Sequence, residues 1–223
     1  MDRGGDVNDI EIKKIPSKQT YDFILNKHYA QRKPSISYAF GLLINGELEG
    51  VCTIGKPASN SLCVGVCGVE YSKNVYELNR LVVNDGLEKN TLSKFVGEVL
   101  RQLKSEKIIL ISYADQDAGH HGYIYQATNW LYTGKTKGRT DKYMPGNKHS
   151  RHYTEEFSHL RKFRSEKYRY LYIPNKRFKK EVLKKLNYPI LDNYPKGDNE
   201  NYMLGDRLKH KVLNTNTNEI YYE

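Results

Sequence analysis

Residues 108–134 read IILISYADQDAGHHGYIYQATNWLYTG, and the parsing of this stretch decides the fold. Ile108 to Ile111 are apolar and mostly β-branched, as in a central strand, and Ser112-Tyr113-Ala114-Asp115 emerge at its carboxyl end. Ligands of open α/β sheets bind at that edge, so a carboxylate delivered there is a candidate for chemistry. The turn GHHG follows, and then a helix carrying Tyr125 whose amino end lies close to Asp115.

Working back from this strand, Leu92, Phe95, Val96, Val99, Leu100 and Leu103 fall at i, i+3, i+4, i+7, i+8 and i+11, one face of an amphipathic helix. Asn90 or Thr91 suits its amino-terminal cap. The unpaired amides of its first turn, with Ser93 and the nearby Arg80, form a candidate anion site. Upstream, Tyr38 to Ile44 and Leu48 to Ile54 are strand-like runs joined by Asn45-Gly46, a pair that tolerates positive φ in a tight hairpin turn. Leu62 to Val69 and Val75 to Val83 read as two further strands of the same antiparallel sheet, with Leu78, Arg80 and Val82 on one face of the latter. Ser17 to Tyr29 reads as an early helix, with Tyr21, Ile24 and Leu25 on one face and Pro34 barring its continuation. The fold class is therefore α/β (α+β): a mixed, mostly antiparallel sheet flanked by helices.

At 223 residues the chain has enough length for one sizeable core with an appendage. The expected division is a catalytic core over 1–134, a basic extension packed on it over 135–200, and a tail over 201–223. No run suits a bilayer span, and the amino terminus has no apolar signal core, so a cytoplasmic protein without a membrane partner is expected. Cys52, Cys63 and Cys67 lack the paired spacing of a zinc ribbon and lie among strand formers, which implies buried thiols.

The charge is concentrated. The formal net charge is +10, and Lys135 to Lys185 alone holds 17 basic and 5 acidic residues, a net of +12. Tyr143, Tyr153, Phe157, Phe163, Tyr168, Tyr170 and Tyr172 are interleaved with these cations. Flat rings among cations suit a polyanion with exposed bases better than they suit a merely solubilising surface or a membrane-binding helix. Arg139, Lys142, Arg161, Lys162 and Arg164 are the expected nucleic-acid contacts.

The succession of antiparallel strands, crossover helix, fifth strand and tyrosine-bearing helix resembles the GCN5-related N-acetyltransferases, which grip the pyrophosphate of acyl-coenzyme A between the fourth strand and the next helix. Leu87 to Ser93 holds that place here, with Gly86 the one glycine near it. A narrower resemblance rests on Lys27-His28-Tyr29-Ala30, Glu77-Leu78-Asn79-Arg80, Tyr113-Ala114-Asp115, Gly119-His120 and Tyr125-Gln126-Ala127-Thr128-Asn129-Trp130 in this order, and resumes in KYRYLYIPNKR and YPKGDN between Lys167 and Asn199. Together these resemble the phage Mom family. The resemblance implies an enzyme that converts the exocyclic amine of adenine in phage DNA to a carbamoylmethyl amine, protecting that DNA from host restriction in the host cytoplasm.

The resemblance further assigns catalytic and metal-associated roles to His28, Tyr29, Asp115 and Tyr125, and donor binding to Arg80 and Ser93, with Asn90 and Thr91 beside them. Of His120 and His121, which diverge on a turn, it favours His120. Imidazole, carboxylate and phenolate ligands suit iron or a similar first-row metal. Acetyl-coenzyme A or another small-group carrier is the expected donor. Double-stranded DNA with a flipped adenine, and a second copy of the chain, are the expected partners. Other readings stay open at each position: His28 and Tyr29 as packed helix-end residues, Asp115 as a cap for the turn at Gly119, Tyr125 as core, and Arg80 as an ion pair with Glu77 or Glu98. A conventional acyl-coenzyme A-dependent N-acetyltransferase is the alternative enzyme, and a binding protein on an inherited scaffold the alternative outside catalysis.

Overall fold

The computed structural model describes residues 9–146, 152–197, 204–206 and 209–223. Its main sheet contains β1 (Ile10–Lys14), β2 (Tyr38–Ile44), β3 (Glu47–Gly55), β4 (Val75–Val83), β5 (Ile109–Asp115), β6 (Leu131–Lys135) and β9 (Lys167–Tyr172), in the order β1-β2-β3-β4-β5-β9-β6. Strands β7 (Arg139–Lys142), β8 (Leu160–Arg164), β10 (Lys211–Asn214) and β11 (Glu219–Tyr222) form a second sheet, ordered β11-β10-β8-β7. Among the described residues the α-helices are α1 (Asn60–Tyr71), α2 (Thr91–Gln102), α3 (Tyr123–Ala127) and α4 (Lys176–Leu183). Every strand pairing is antiparallel except β4 with β5. This is the mixed, mostly antiparallel arrangement expected, and no helix among the described residues is long and apolar enough to cross a membrane.

The helix over Thr91–Gln102 buries Phe95, Val96, Val99 and Leu100 against Phe40, Leu42, Ile54 and Leu78 on one face of the sheet. Helices α1 and α4 cover the other face, where Cys63, Val66, Phe178 and Val182 pack on Ile109, Ile111 and Leu171. The hairpin turn has Asn45 at φ 52° and Gly46 at φ 83°, as its sequence demands. Cys52, Cys63 and Cys67 are buried free thiols.

Three expectations need correction. Residues 62–66 are helical and the chain kinks at Cys67 and Gly68, where φ is −144° and 81°; Cys63, Val66 and Cys67 are buried at i, i+3 and i+4, and Ser59 accepts the Leu62 amide as a cap. The apolar content suggested a strand, but the burial has the helical period. The place of that strand in the antiparallel set is taken by β1, which lies outside the elements read from the sequence. Residues 17–29 are not one regular helix but a 3-10 turn over Ser17–Thr20 followed by a widened turn over Phe23–Lys27. That widened turn buries Phe23 and Ile24 and leaves Leu25 exposed. Strand β4 does not keep Leu78 and Val82 on one face. Its register against β3 shifts so that Asn79 is an extra residue, which sends Leu78 to the α2 side and Val82 to the opposite side with Phe23 and Val51.

The expected boundary at residue 134 also cuts through the main sheet. Strand β9, from the basic segment, lies between β5 and β6. Tyr170 is wholly buried there, and Tyr168 and Tyr172 pack against the same core, so these three rings belong to the core and not to a nucleic-acid surface. The tail supplies β10 and β11 of the second sheet. The end of the YPKGDN motif, Asp198-Asn199, lies outside the described residues, as does Tyr202.

Candidate active site

The parallel pairing of β4 with β5 runs only from Val75–Ile109 to Glu77–Ile111. Beyond that point β4 stays with β3 up to Val83, and β5 stays with β9 out to Asp115–Lys167. The strands therefore part, and the opening is a cavity of about 870 Å³. His28, Tyr29, Arg80, Asn90, Thr91, Ser93, Asp115, His120 and Tyr125 all line it, so residues drawn from five separate segments of sequence meet at one place.

His28 follows the widened turn, its amide donating to Phe23 O at 2.9 Å. Its ring is almost wholly buried. Burial, with Arg80 and His120 nearby, lowers its pKa to about 3, so the imidazole is neutral at physiological pH. Tyr29 packs at 4.3 Å between ring centroids from His28 and edge-on at 6.1 Å to His120. His121, by contrast, is not among the cavity-lining residues; its carbonyl accepts the Tyr170 hydroxyl. The two adjacent histidines diverge as expected.

Asp115 ends β5. Its Oδ1 accepts from Ser165 Oγ at 2.6 Å and from the Asp117 amide at 3.1 Å, and its Oδ2 accepts from Lys167 Nζ at 2.5 Å. Burial pushes the carboxyl up, but Lys167, Ser165 and the Asp117 amide together hold it below the ordinary range. Asp115 is thus a charged anchor. Tyr125 is buried, and its hydroxyl meets Ser112 Oγ at 2.7 Å, while Ser112 Oγ also donates to Leu78 O at 2.8 Å across the parting strands. Burial raises the Tyr125 pKa, so the phenol keeps its proton.

At the other end of the cavity α2 opens. Asn90 adopts a left-handed conformation, and its side chain does not cap the helix, contrary to expectation. Thr91 is buried, and Ser93 Oγ donates to Asn90 O at 2.9 Å. The amides of Leu92 and Ser93 lie in the first turn, where no intrahelical acceptor exists. Arg80 does not reach toward Glu98, which pairs with Arg101. Its Nη1 donates to Asn79 O at 2.6 Å and its Nη2 to Arg32 O at 2.9 Å.

As arranged, His28 and Asp115 do not fit the expected metal. Among the described residues no group of three or more His, Cys, Asp or Glu side chains is gathered as a ligand set. The donor chemistry agrees. His28 Nδ1 accepts the Ala30 amide at 3.0 Å, which leaves the proton of the neutral ring on Nε2. The Asp115 oxygens face an ammonium and two other donors.

Three residues of the site went unread in the sequence. Lys167 and Ser165 stand opposite Asp115 because β9 pairs with β5 across some fifty residues of chain. Glu77, at the last paired residue of β4, lines the cavity; burial raises its carboxyl pKa against the pull of Arg80 and Lys167. Of the expected DNA contacts, Lys142, Lys162 and Arg164 line the cavity. Arg139 and Arg164 both pair with Asp141, and Arg161 donates to Thr140 O.

The model of the Mom protein family matches residues 9–196. A curated relative, the methylcarbamoylase mom of Escherichia phage Mu, is 25% identical over 204 residues, covering 80% of this chain and 81% of that protein. Among solved structures, a GNAT family acetyltransferase from Elizabethkingia anophelis with acetyl-CoA bound aligns at a TM-score of 0.45 and 13% identity, covering 74% of this chain and 97% of that one. An N-acetyltransferase from Staphylococcus aureus aligns at a TM-score of 0.47 and 12% identity, covering 75% and 99%.

Proposed function

This chain belongs to the Mom protein family, and on that premise we propose that it is a DNA-modifying transferase that builds a carbamoylmethyl group on the exocyclic amine of adenine. The observation that carries this reading is the parting of β4 from β5. It opens one cavity that holds the family's candidate residues and is walled on another side by Lys142, Lys162 and Arg164. The adenine amine is paired in a duplex, so the base must leave the stack to enter, at a cost of about a few kcal/mol that phosphate contacts and a ring-lined pocket offset.

Within the cavity the roles divide by chemistry. The first-turn amides of α2 and the Ser93 hydroxyl suit a diphosphate-bearing carrier such as a coenzyme A derivative; for the N–C bond to form without an oxidant, the donor carries the two-carbon amide with a leaving group on its methylene carbon, which departs with the bonding electrons as the amine loses its proton. The Lys167 ammonium, held in place by Asp115, is the donor proposed to orient a carbonyl or ring acceptor. The neutral His28 and Tyr29 form one wall for a planar base. Glu77, with its raised carboxyl pKa, is the group proposed to take a proton from the amine once the base is seated.

Mass spectrometry of nucleosides from plasmid DNA of bacteria expressing the protein, beside an Asp115→Ala variant, tests the reading. A deoxyadenosine species heavier by a carbamoylmethyl group, present with the wild type and absent with the variant, is expected. Unmodified DNA from cells holding soluble, folded wild-type protein would overturn it.

A further inference from the structure

We propose that the outer face of the second sheet is a stacking platform for an unpaired stretch of nucleic acid, continuous with the active-site cavity. The proposal rests on the DNA-modification reading for its biological setting, while the surface is argued from its own residues.

The register of the four strands sorts their side chains into two faces. On one face Asp141, Lys162, Val212 and Tyr221 stand side by side in one row. That side carries the buried cluster of Tyr143, Leu160 and Val212, against which Phe157 packs. The other face has two rows. Lys142 stands opposite Arg161, Arg161 opposite Leu213, and Leu213 opposite Ile220. Alongside, Thr140 stands opposite Phe163, Lys211 lies with its ammonium 5.1 Å over the Phe163 ring, and Tyr222 is opposite Lys211.

This second face is open. Tyr222 is 65% exposed and Ile220 is 52% exposed, and Lys142 and Lys211 are exposed as well. Lys142 also carries its ammonium 4.1 Å over the Tyr153 ring. In one row the Phe163 and Tyr222 rings flank Lys211, the other row places Lys142 and Arg161 beside Leu213 and Ile220, and carboxylates are absent from both. A sheet face needs no exposed rings for solubility, and a purely electrostatic phosphate-binding surface needs none either. Rings stack on bases whose faces are free, and cations between them follow the backbone; the combination suits unpaired nucleotides better than a closed duplex.

The platform also leads somewhere. Lys142, Phe163 and Lys211 line the cavity that holds Asp115 and Tyr125. A strand stacked on the platform is therefore guided toward the reacting groups, as a flipped base and its unstacked neighbours require. Strands β10 and β11 lie past residue 196, where the match to the family model ends, so this chain adds half of the platform beyond that match.

The test is equilibrium binding of a fluorescently labelled all-thymine oligonucleotide, which offers no adenine to the active site, measured over a range of salt. Tyr222→Ala and Phe163→Ala are each expected to weaken binding by about tenfold without changing the salt slope, because they remove stacking and not charge. Lys211→Ala is expected to reduce the slope by about 0.7, one contact to a single strand. Tyr222 lies on the surface of an edge strand, so its loss leaves the fold intact, and thermal melting checks this. Wild-type affinity in both ring variants, or binding of duplex with none of the single strand, would overturn the platform. Neither result touches the modification reading, which stands or falls on the nucleoside masses.

Discussion

At His28 a single side chain is tuned by where the chain puts it. Its ring is held neutral down to about pH 3, whereas in an unfolded chain it protonates from about 6.5 downward. Between these values the unfolded state binds the extra proton, so stability must fall as the pH drops through that window. The cost is on the order of a few kcal/mol at the acid end. His28→Gln is expected to flatten the decline of Tm from about pH 6.5 toward about pH 4; parallel profiles for the two proteins would show that the imidazole is not held neutral. The residue type was legible from the resemblance, and its state was not, because burial and Arg80 come to it only in the fold. Asp115 makes the same point: its place at a strand end was readable, and its commitment to Lys167 was not.

Among the elements, β4 controls more than its own strand. The extra residue at its bulge, Asn79, donates from Nδ2 to Ser35 O at 2.8 Å and accepts Thr53 Oγ1 at 2.7 Å, while Arg80 holds Arg32 O. Together they pin the segment that follows His28 and Tyr29. The approach is close enough that a Cβ on Gly55 would lie 1.8 Å from Ser35 O. Gly55→Ala is expected to cost about 1–3 kcal/mol by forcing that segment away. Asn79→Asp, which keeps the Thr53 contact but replaces the donor to Ser35 O with a like-signed oxygen, is expected to free the segment with less loss of stability. Trypsin cleavage after Arg32 reports the release; rates equal to the wild type in both variants would show that the pinning is immaterial. The apolar periodicity of α2 announced that helix, but the run at 62–69 is short and uniformly apolar. Its parsing as a helix depended on the Ser59 cap and on a sheet surface to bury Cys63, Val66 and Cys67.

Over the whole molecule, the basic segment is divided between two sheets. Its net charge was readable by counting, but its distribution depends on pairing. Asp141 faces both Arg139 and Arg164, whereas Lys142 and Arg161 lie in a row without a carboxylate. Duplex binding is therefore expected to depend unequally on these cations. Lys142→Ala with Arg161→Ala should lower the salt slope by about 1.8, near 0.9 for each contact. Arg139→Ala, which removes a cation already countered, should lower it less. A fall of about 0.9 from Arg139→Ala, half that of the double variant, would show that the ion pair to Asp141 does not restrict Arg139 on the complex.

By itself the sequence determined the hairpin, the amphipathic helix, the central strand and the ordered motifs that carry the family resemblance. These are local properties: the period of apolar residues, the φ that Asn-Gly tolerates, and short runs of residue types. Tertiary structure alone decided that β4 and β5 part, that Lys167 meets Asp115, and that Phe163, Lys211 and Tyr222 share a face. Each of these depends on the pairing of residues far apart in the chain, and pairing is chosen by the burial and hydrogen bonding of the whole sheet.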